Sequence, residues 1–160
     1  MRKIFMAIVL IMGVNGSILA QMNYNRNADT SNIYYQSLKL HIKADNDLSD
    51  SIKLIKSDTF FVEDSKTTNN LPLKIGSFNV LYLNYDEIKN RIRHGEVISI
   101  ATICPIEIEN DKVELGIINF HVKKEKRKMV WGHESSSTFE YKYNCNTGHF
   151  ELLHFQLDGI

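Results

Sequence analysis

The second half of the chain alternates apolar and polar positions, which is the pattern of β-strands. Phe139, Tyr141 and Tyr143 are separated by charged residues, so the three rings fall on one face of a strand. The stretch 97–103 is apolar on both faces and predicts a central, buried strand. Short turns at 110–111, 123–128 and 146–148 join the successive strands. From residue 96 onward the pattern therefore predicts an antiparallel meander.

A different spacing, that of an amphipathic helix, marks the stretch after residue 31. One face of this helix carries Tyr34, Leu38, His41 and Ile42. Ser31 is the predicted N-cap, and the helix begins at residue 32. A strand is the alternative, because Leu38, Leu40 and Ile42 also alternate. The absence of Gly and Pro from 34 to 44 favours the helix.

The middle of the chain predicts two strands and a second helix. Residues 54–63 are rich in Ile, Thr, Phe and Val, and residues 78–82 alternate. Residues 85–92 then have the composition of a short helix. Asn84 is its predicted N-cap, and His94-Gly95 ends it.

Together these elements predict a single α+β domain over residues 32–160. The N-terminal helix is expected to pack on a mostly antiparallel meander sheet of five to seven strands and to cover its apolar face. A curved cystatin-like or NTF2-like sheet is the nearest named shape, by analogy alone. Residues 21–31 are polar and rich in asparagine, which predicts a flexible lead-in.

The first twenty residues follow the order of a secretory signal peptide. Arg2 and Lys3 give the positive start, an apolar run follows from Ile4 to Val14, and Ala20 is the small residue at the cut. A membrane-spanning helix needs about 20 apolar residues, so this run is too short to be an anchor. We predict cleavage after Ala20 and export to the periplasm or the medium, with no integral membrane segment remaining.

The charge after residue 20 bears on the class of partner, and the two cysteines bear on whether the predicted exported domain contains a disulfide. After residue 20 there are 17 basic and 19 acidic residues, a formal charge of −2 with histidine neutral. A nucleic-acid partner is not predicted, because such proteins carry a basic footprint. Cys104 and Cys145 can form a disulfide in an oxidising compartment or remain two separate buried thiols. Their spacing leaves both alternatives open.

Five short motifs, spread over most of the predicted domain, are similar to those of a known group of proteins. They are Tyr34-Tyr35-x-x-Leu38, Asn70-Leu71-Pro72, Tyr143-Asn144-Cys145, Phe150 and Gly159-Ile160. In these motifs the chain resembles small exported proteins of unknown function from Bacteroidetes-type bacteria. The resemblance implies no activity.

Histidine spacing does not predict a metal site. His133-Glu134 begins like the zinc-protease motif, but Ser137 stands where the second histidine belongs, and the surrounding pattern is β rather than helical. No two of the six histidines lie two or four residues apart, so none forms a local chelate on a strand or helix. We therefore predict neither a metal nor another cofactor.

Two classes of function stay open. Residues 131–138 contain His133, Glu134 and three serines, the minimum for a small hydrolase with a serine nucleophile. No Gly-x-Ser-x-Gly turn accompanies them, so no catalytic residue is predicted. A non-enzymatic binding module of the envelope or the medium is the preferred interpretation.

The predicted binding surface of that module consists of Trp131, His133 and Tyr141. Trp and Tyr give large contact areas with few rotatable bonds and dominate binding hot spots. The basic turn 123–128 would steer an acidic partner toward them. The ligand is left open as a protein, a glycan or a small molecule. The competing prediction places Trp131 and Tyr141 in the core.

Overall fold

The computed structural model describes residues 32–51, 58–93 and 96–159. The predicted signal peptide, residues 1–20, and the predicted lead-in, residues 21–31, lie outside the described residues. The helices and strands are, in chain order, α1 Ile33–Ser51, β1 Thr59–Glu63, β2 Lys74–Ile75, β3 Phe78–Leu83, α2 Tyr85–Arg93, β4 Ile98–Ile103, β5 Glu107–Glu109, β6 Lys112–Glu125, β7 Lys128–Asn144 and β8 His149–Asp158.

All eight strands form one mixed sheet in the order β2-β3-β1-β4-β6-β7-β8, with β5 beside β6. Strand β1 lies between β3 and β4 and runs parallel to both, whereas the remaining pairs are antiparallel. The α+β class is confirmed. The prediction of a mostly antiparallel meander of five to seven strands is wrong, because alternation shows which side chains share a face but not which strand lies alongside.

The sheet has an apolar core on each face. On the face that contacts α1, which we call the first face, Leu38 and Ile42 join Val62 and other buried residues. On the second face, Ile88 of α2 belongs to a separate cluster, against which Phe61 packs. Phe61 and Val62 are neighbours in β1, so the two clusters lie on opposite sides of the sheet.

A β-bulge in β7 exchanges the faces of its two halves. Asn119 pairs with Ser135 and Phe120 pairs with His133, so Glu134 is an extra residue without a partner in the β6–β7 register. Beyond the bulge the alternation shifts by one residue. As a result Trp131 packs in the second-face cluster, whereas Tyr141 belongs to the first-face core.

Local hydrogen bonds explain where the helices begin. The side chain of Asn32 caps α1, since it accepts a hydrogen bond from the backbone N–H of Tyr34 at 2.9 Å. The predicted cap, Ser31, lies outside the described residues. The predicted cap of α2 is confirmed, because Asn84 accepts from the N–H of Glu87 at 3.0 Å. Glu87 returns the contact at 2.8 Å by accepting from the N–H of Asn84. Within the described residues, neither helix is both long and apolar enough to cross a membrane.

Candidate functional site

The structure separates the three residues of the predicted binding surface. Trp131 is half-buried, with its ring edge-to-face against Phe120 at 5.6 Å between centroids. His133 is exposed beside the same phenylalanine. Tyr141 is 0% exposed, and the bulge at Glu134 puts it on the opposite face of the sheet. Tyr141 therefore cannot meet a partner at the surface, which corrects its assignment to the binding surface.

The groups of the hydrolase hypothesis are likewise held apart. Glu134 accepts a hydrogen bond from the hydroxyl of Ser99 at 2.7 Å. Ser135 and Ser137 are buried, and their hydroxyls contact residues other than His133 and Glu134. The candidate catalytic side chains of residues 131–138 therefore contact different neighbours and do not converge.

A buried polar network joins α1 to β6 and β7. Ser37, His41 and Asp45 follow one another at intervals of four, so they form one stripe along the helix. The ring of His41 lies between two sheet residues, with Nδ1 2.8 Å from Ser137 Oγ and Nε2 3.0 Å from Asn119 Oδ1. Because Asn119 Oδ1 can only accept, Nε2 carries the proton of the neutral ring and Nδ1 accepts from Ser137.

The other members complete the network. Asn119 Nδ2 donates to Asp45 Oδ1 and to Ser135 Oγ, each at 3.0 Å. At the start of the stripe, the hydroxyls of Ser37 and Tyr141 lie 2.7 Å apart. Among the described residues no buried side-chain nitrogen or oxygen lacks a hydrogen-bond partner. The network therefore fixes the position and rotation of α1 on the first face.

Burial controls the protonation of this network. It lowers the pKa of His41 to about 4, against a smaller opposing effect of the hydrogen bond to Asn119. The pKa of Asp45 is raised, first by burial and then by the negative charge of Glu134, while the hydrogen bond from Asn119 acts in the opposite direction. His41 is therefore neutral at pH 7.

The network contains the parts of a hydrolytic triad without access to a substrate. Ser137, His41 and Asn119 stand in the order nucleophile, base and orienting residue. Ser137 and His41 are both fully buried, however, so no substrate can reach the hydroxyl in this structure. The arrangement holds the fold together and does not expose a catalytic group.

An open groove lies on the first face, beside the start of α1. Its volume is about 370 Å³, and it is lined by Asn32, Ile33, Ile106, Ile108, Val113, Gly148, His149 and Phe150. Ile108, in the short strand β5, is 75% exposed although it is a large aliphatic residue. Gly148 adopts a left-handed conformation, with φ of 70°, and closes the β7–β8 turn at the edge of the groove.

A smaller cleft of about 250 Å³ is lined mainly by acidic residues of β5, β6 and β7, and Lys112 and Glu140 form an ion pair there at 2.7 Å. In the described parts of the chain, no group of three His, Cys, Asp or Glu side chains is arranged to hold a metal. Cys104 and Cys145 are separate free thiols in the structure, but Cys104 is only half-buried and Cys145 is exposed, so the prediction that both are buried is wrong.

The sequence interpretation missed the polar network, although a signal was present. It assigned His41 to the apolar face of the helix and did not connect it with polar residues elsewhere. The interval of four between Ser37, His41 and Asp45 predicts a polar stripe, and Ser135, Ser137 and Tyr141 share one face of an alternating strand.

Comparison with protein-family models, curated proteins and solved structures finds no match for this chain.

Proposed function

We propose that the protein is an exported, non-enzymatic binding module whose ligand occupies the groove beside the start of α1. The observation that carries this proposal is the exposure of Ile108 at the edge of an open, largely aliphatic groove. Covering an exposed aliphatic side chain at a concave surface removes apolar area from water, which favours ligand binding.

The groove favours one of the three ligand classes left open by the sequence. Its volume lies near the lower end of the range for small-molecule sites, which is about 300–1,000 Å³. Four of the lining side chains are aliphatic, while Asn32 and His149 supply polar groups. A small molecule with an apolar body and one polar end matches this lining better than a glycan does.

Several predictions from the sequence enter this proposal without a structural test. Export rests on the signal-peptide pattern of residues 1–20. Intact-mass analysis of the exported fraction should give a product that begins near Gln21, and a full-length cytoplasmic product would contradict export. The surface around Trp131 and His133 stays a prediction for a second contact, and the cystatin-like or NTF2-like shape stays an analogy.

The hydrolase alternative, with His133, Glu134 and a nearby serine, is the less favoured proposal. Glu134 is hydrogen-bonded to Ser99, and Ser137 is hydrogen-bonded to His41 in the core. A hydrolase would need these groups to converge in a cleft that a substrate can enter. Hydrolysis of an activated ester that disappears in a Ser136→Ala or a His133→Ala variant would restore this alternative.

The groove is tested with an apolar fluorescent probe, 1-anilinonaphthalene-8-sulfonate. Ile108→Glu places a charge in the apolar lining and should weaken probe binding by about tenfold or more, since burying an unpaired charge is costly. Val97→Glu is the matched control, because Val97 is an aliphatic residue 55% exposed that does not line the groove. We expect the control to bind the probe like the unmodified protein.

Backbone amide NMR signals locate the probe independently. Under the proposal, the signals that move during the titration belong to Ile106, Ile108, Gly148 and His149. Movement centred on Trp131 and His133 would contradict the groove and favour the surface predicted from the sequence. Equal weakening by Ile108→Glu and Val97→Glu would also contradict it.

A further inference from the structure

The outer edge of β8 is a second surface with the properties of an interaction site. Strand β8 ends the sheet, and β7 is its neighbour on the inner side. In residues 32–51, 58–93 and 96–159 no strand pairs with its outer side. Along His149–Asp158, the backbone N–H and C=O groups of alternate residues therefore point away from β7 and have no strand partner among the described residues.

The edge lacks the Lys and Pro residues that often prevent strands from pairing, and it contains one register shift, near Leu153. His149–Asp158 contains no Lys, Arg or Pro, and Leu152 and Leu153 are 40% and 50% exposed. The opposite edge of the sheet is protected, because β2 has two residues and one of them is the exposed Lys74. The two edges of the same sheet thus differ in their capacity to take up another strand.

We propose that β8 pairs antiparallel with β8 of a second copy of this chain. The two-fold axis lies between Leu153 and His154. In this register, Leu152 faces Phe155 of the second copy, and Phe150 faces Leu157 of the second copy. An antiparallel pair of identical strands is an isologous contact, so every pairing occurs twice and the assembly closes as a dimer.

The faces of the paired residues agree with this register. Within one chain, four apolar residues of β8 lie opposite residues of β7. The pairs are Phe150 with Tyr143, Leu152 with Tyr141, Phe155 with Phe139, and Leu157 with Ser137. These four β7 residues alternate along one strand face, so the four apolar residues of β8 share the first face despite the register shift near Leu153. Across the junction, apolar side chains therefore meet apolar side chains.

The polar residues that meet across the junction also fit a second copy of this chain. On the second face, Glu151 meets Gln156 of the second copy at one position. At the ends of the pairing, His149 meets Asp158 of the second copy, which joins an imidazole to a carboxylate. Against its own reverse, β8 places apolar residues opposite apolar residues on the first face and an imidazole opposite a carboxylate at each end, and this self-complementarity favours a second copy as the partner.

Sedimentation velocity of the protein alone, from micromolar to several hundred micromolar, tests the dimer. The unmodified protein should show a concentration-dependent dimer. Leu153→Lys places two like charges at the axis and should weaken dimerisation by about tenfold or more. Val97→Lys, which charges an exposed aliphatic side chain elsewhere, should leave the dimer unchanged. A protein that stays monomeric throughout this range overturns the proposal, as does equal weakening by both variants.

A charge exchange tests the register without changing an apolar residue. His149→Asp sets two carboxylates against each other and should weaken the dimer. Asp158→Lys sets an ammonium group against His149 and should also weaken it. The double variant His149→Asp, Asp158→Lys should restore the dimer. Failure of the double variant to recover overturns this register, and recovery to wild-type association supports it. The folded state of each variant is checked by its circular dichroism spectrum.

Discussion

At the scale of the residue, His41 connects the helix and the sheet through a neutral ring. Both ring nitrogens have hydrogen-bond partners in β6 or β7, and the side chain is fully buried. Protonation would add a charge in a region that water does not reach, so the folded state resists it. This makes the stability of the whole chain sensitive to pH through a single side chain.

We predict that the free energy of unfolding decreases by about 3 kcal/mol between pH 7 and pH 4 because of His41. The pKa of His41 is about 4 in the folded state, below its ordinary value of 6.5. Below pH 6.5 the unfolded chain therefore binds a proton that the folded chain does not. The contribution of neutral His41 is complete above pH 6.5 and is lost as the pH falls toward 4. Urea unfolding at a series of pH values measures it.

His41→Gln provides the test of this assignment. The variant loses stability at pH 7, but its free energy of unfolding should depend less on pH between 6.5 and 4. His121→Gln removes an exposed histidine from β6 and should keep the wild-type pH dependence. Asp45 acts in the opposite direction, because its raised pKa favours proton uptake by the folded state. An unchanged pH dependence in His41→Gln would contradict the prediction.

Sequence reasoning at this scale worked for short-range contacts and failed for long-range ones. The cap Asn84 can be predicted from local sequence, since its partner Glu87 is only three residues away. The burial of Tyr141 depends on Ser37, which is separated from it by 104 residues, so local sequence does not indicate it. A hydroxyl group on an alternating strand gives no indication of whether water or a distant serine will satisfy it.

At the scale of the element, α2 is held at its start by two reciprocal hydrogen bonds. The side chain of Asn84 caps the N–H of Glu87, and the carboxylate of Glu87 caps the N–H of Asn84. The helix has nine residues and is too short to be stable alone, so its N-terminal cap and its two buried isoleucines both matter.

We predict that Asn84→Ala lowers the free energy of unfolding by about 1 kcal/mol, the usual effect of removing an N-cap. Glu87→Ala should cost less. The double variant should cost less than the two single changes together, because the hydrogen bonds share their residues. Asp86→Ala is the control for an acidic residue in the same turn. Chemical denaturation of the four variants measures these differences, and equal losses for Asn84→Ala and Asp86→Ala would contradict the capping role.

Hydrophobic patterning identified most of the strands, but it did not identify the bulge. The 17-residue strand β7 contains Trp131 as well as the alternating residues Phe139, Tyr141 and Tyr143. Trp131 and Tyr141 differ by ten residues, so uninterrupted alternation would place them on one face. The extra residue Glu134 reverses this parity. Nothing in the composition around Glu134 indicates that it is the unpaired residue.

At the scale of the whole molecule, one sheet serves two cores. Val62 and Ile100 lie in adjacent strands and belong to the first-face and second-face clusters, respectively. Both clusters include side chains of the same strands. Loss of either cluster should therefore destabilise the sheet on which the other cluster packs. The order of the strands could not be deduced from the sequence, because the parallel pairing of β1 with β3 and β4 leaves no mark in the alternation of either strand.

We predict that damage to the first-face core lowers the unfolding midpoint reported from the second face. Leu38→Ala should cost about 2–5 kcal/mol, because Leu38 is fully buried in α1. Trp131, the only tryptophan, belongs to the second-face cluster, so its fluorescence reports the other side of the sheet. The fluorescence and circular dichroism midpoints should fall together.

Lys39→Ala, which changes the exposed neighbour of Leu38, should leave both midpoints close to their wild-type values. A Leu38→Ala protein whose fluorescence midpoint stays at the wild-type value, while its circular dichroism midpoint falls, would show that the two cores unfold independently.

The contacts of α1 also set the time at which the chain can fold. His41 meets Ser137 across 96 residues, and Ser37 meets Tyr141 across 104 residues. Contacts of such long sequence separation form late, because the intervening chain must be brought together first. While the chain is being synthesised, α1 is made early and must wait for β7. Before β7 is synthesised, the polar side chains of α1 can form hydrogen bonds only with water. The helix therefore cannot be fixed on the sheet until the last strands have been made.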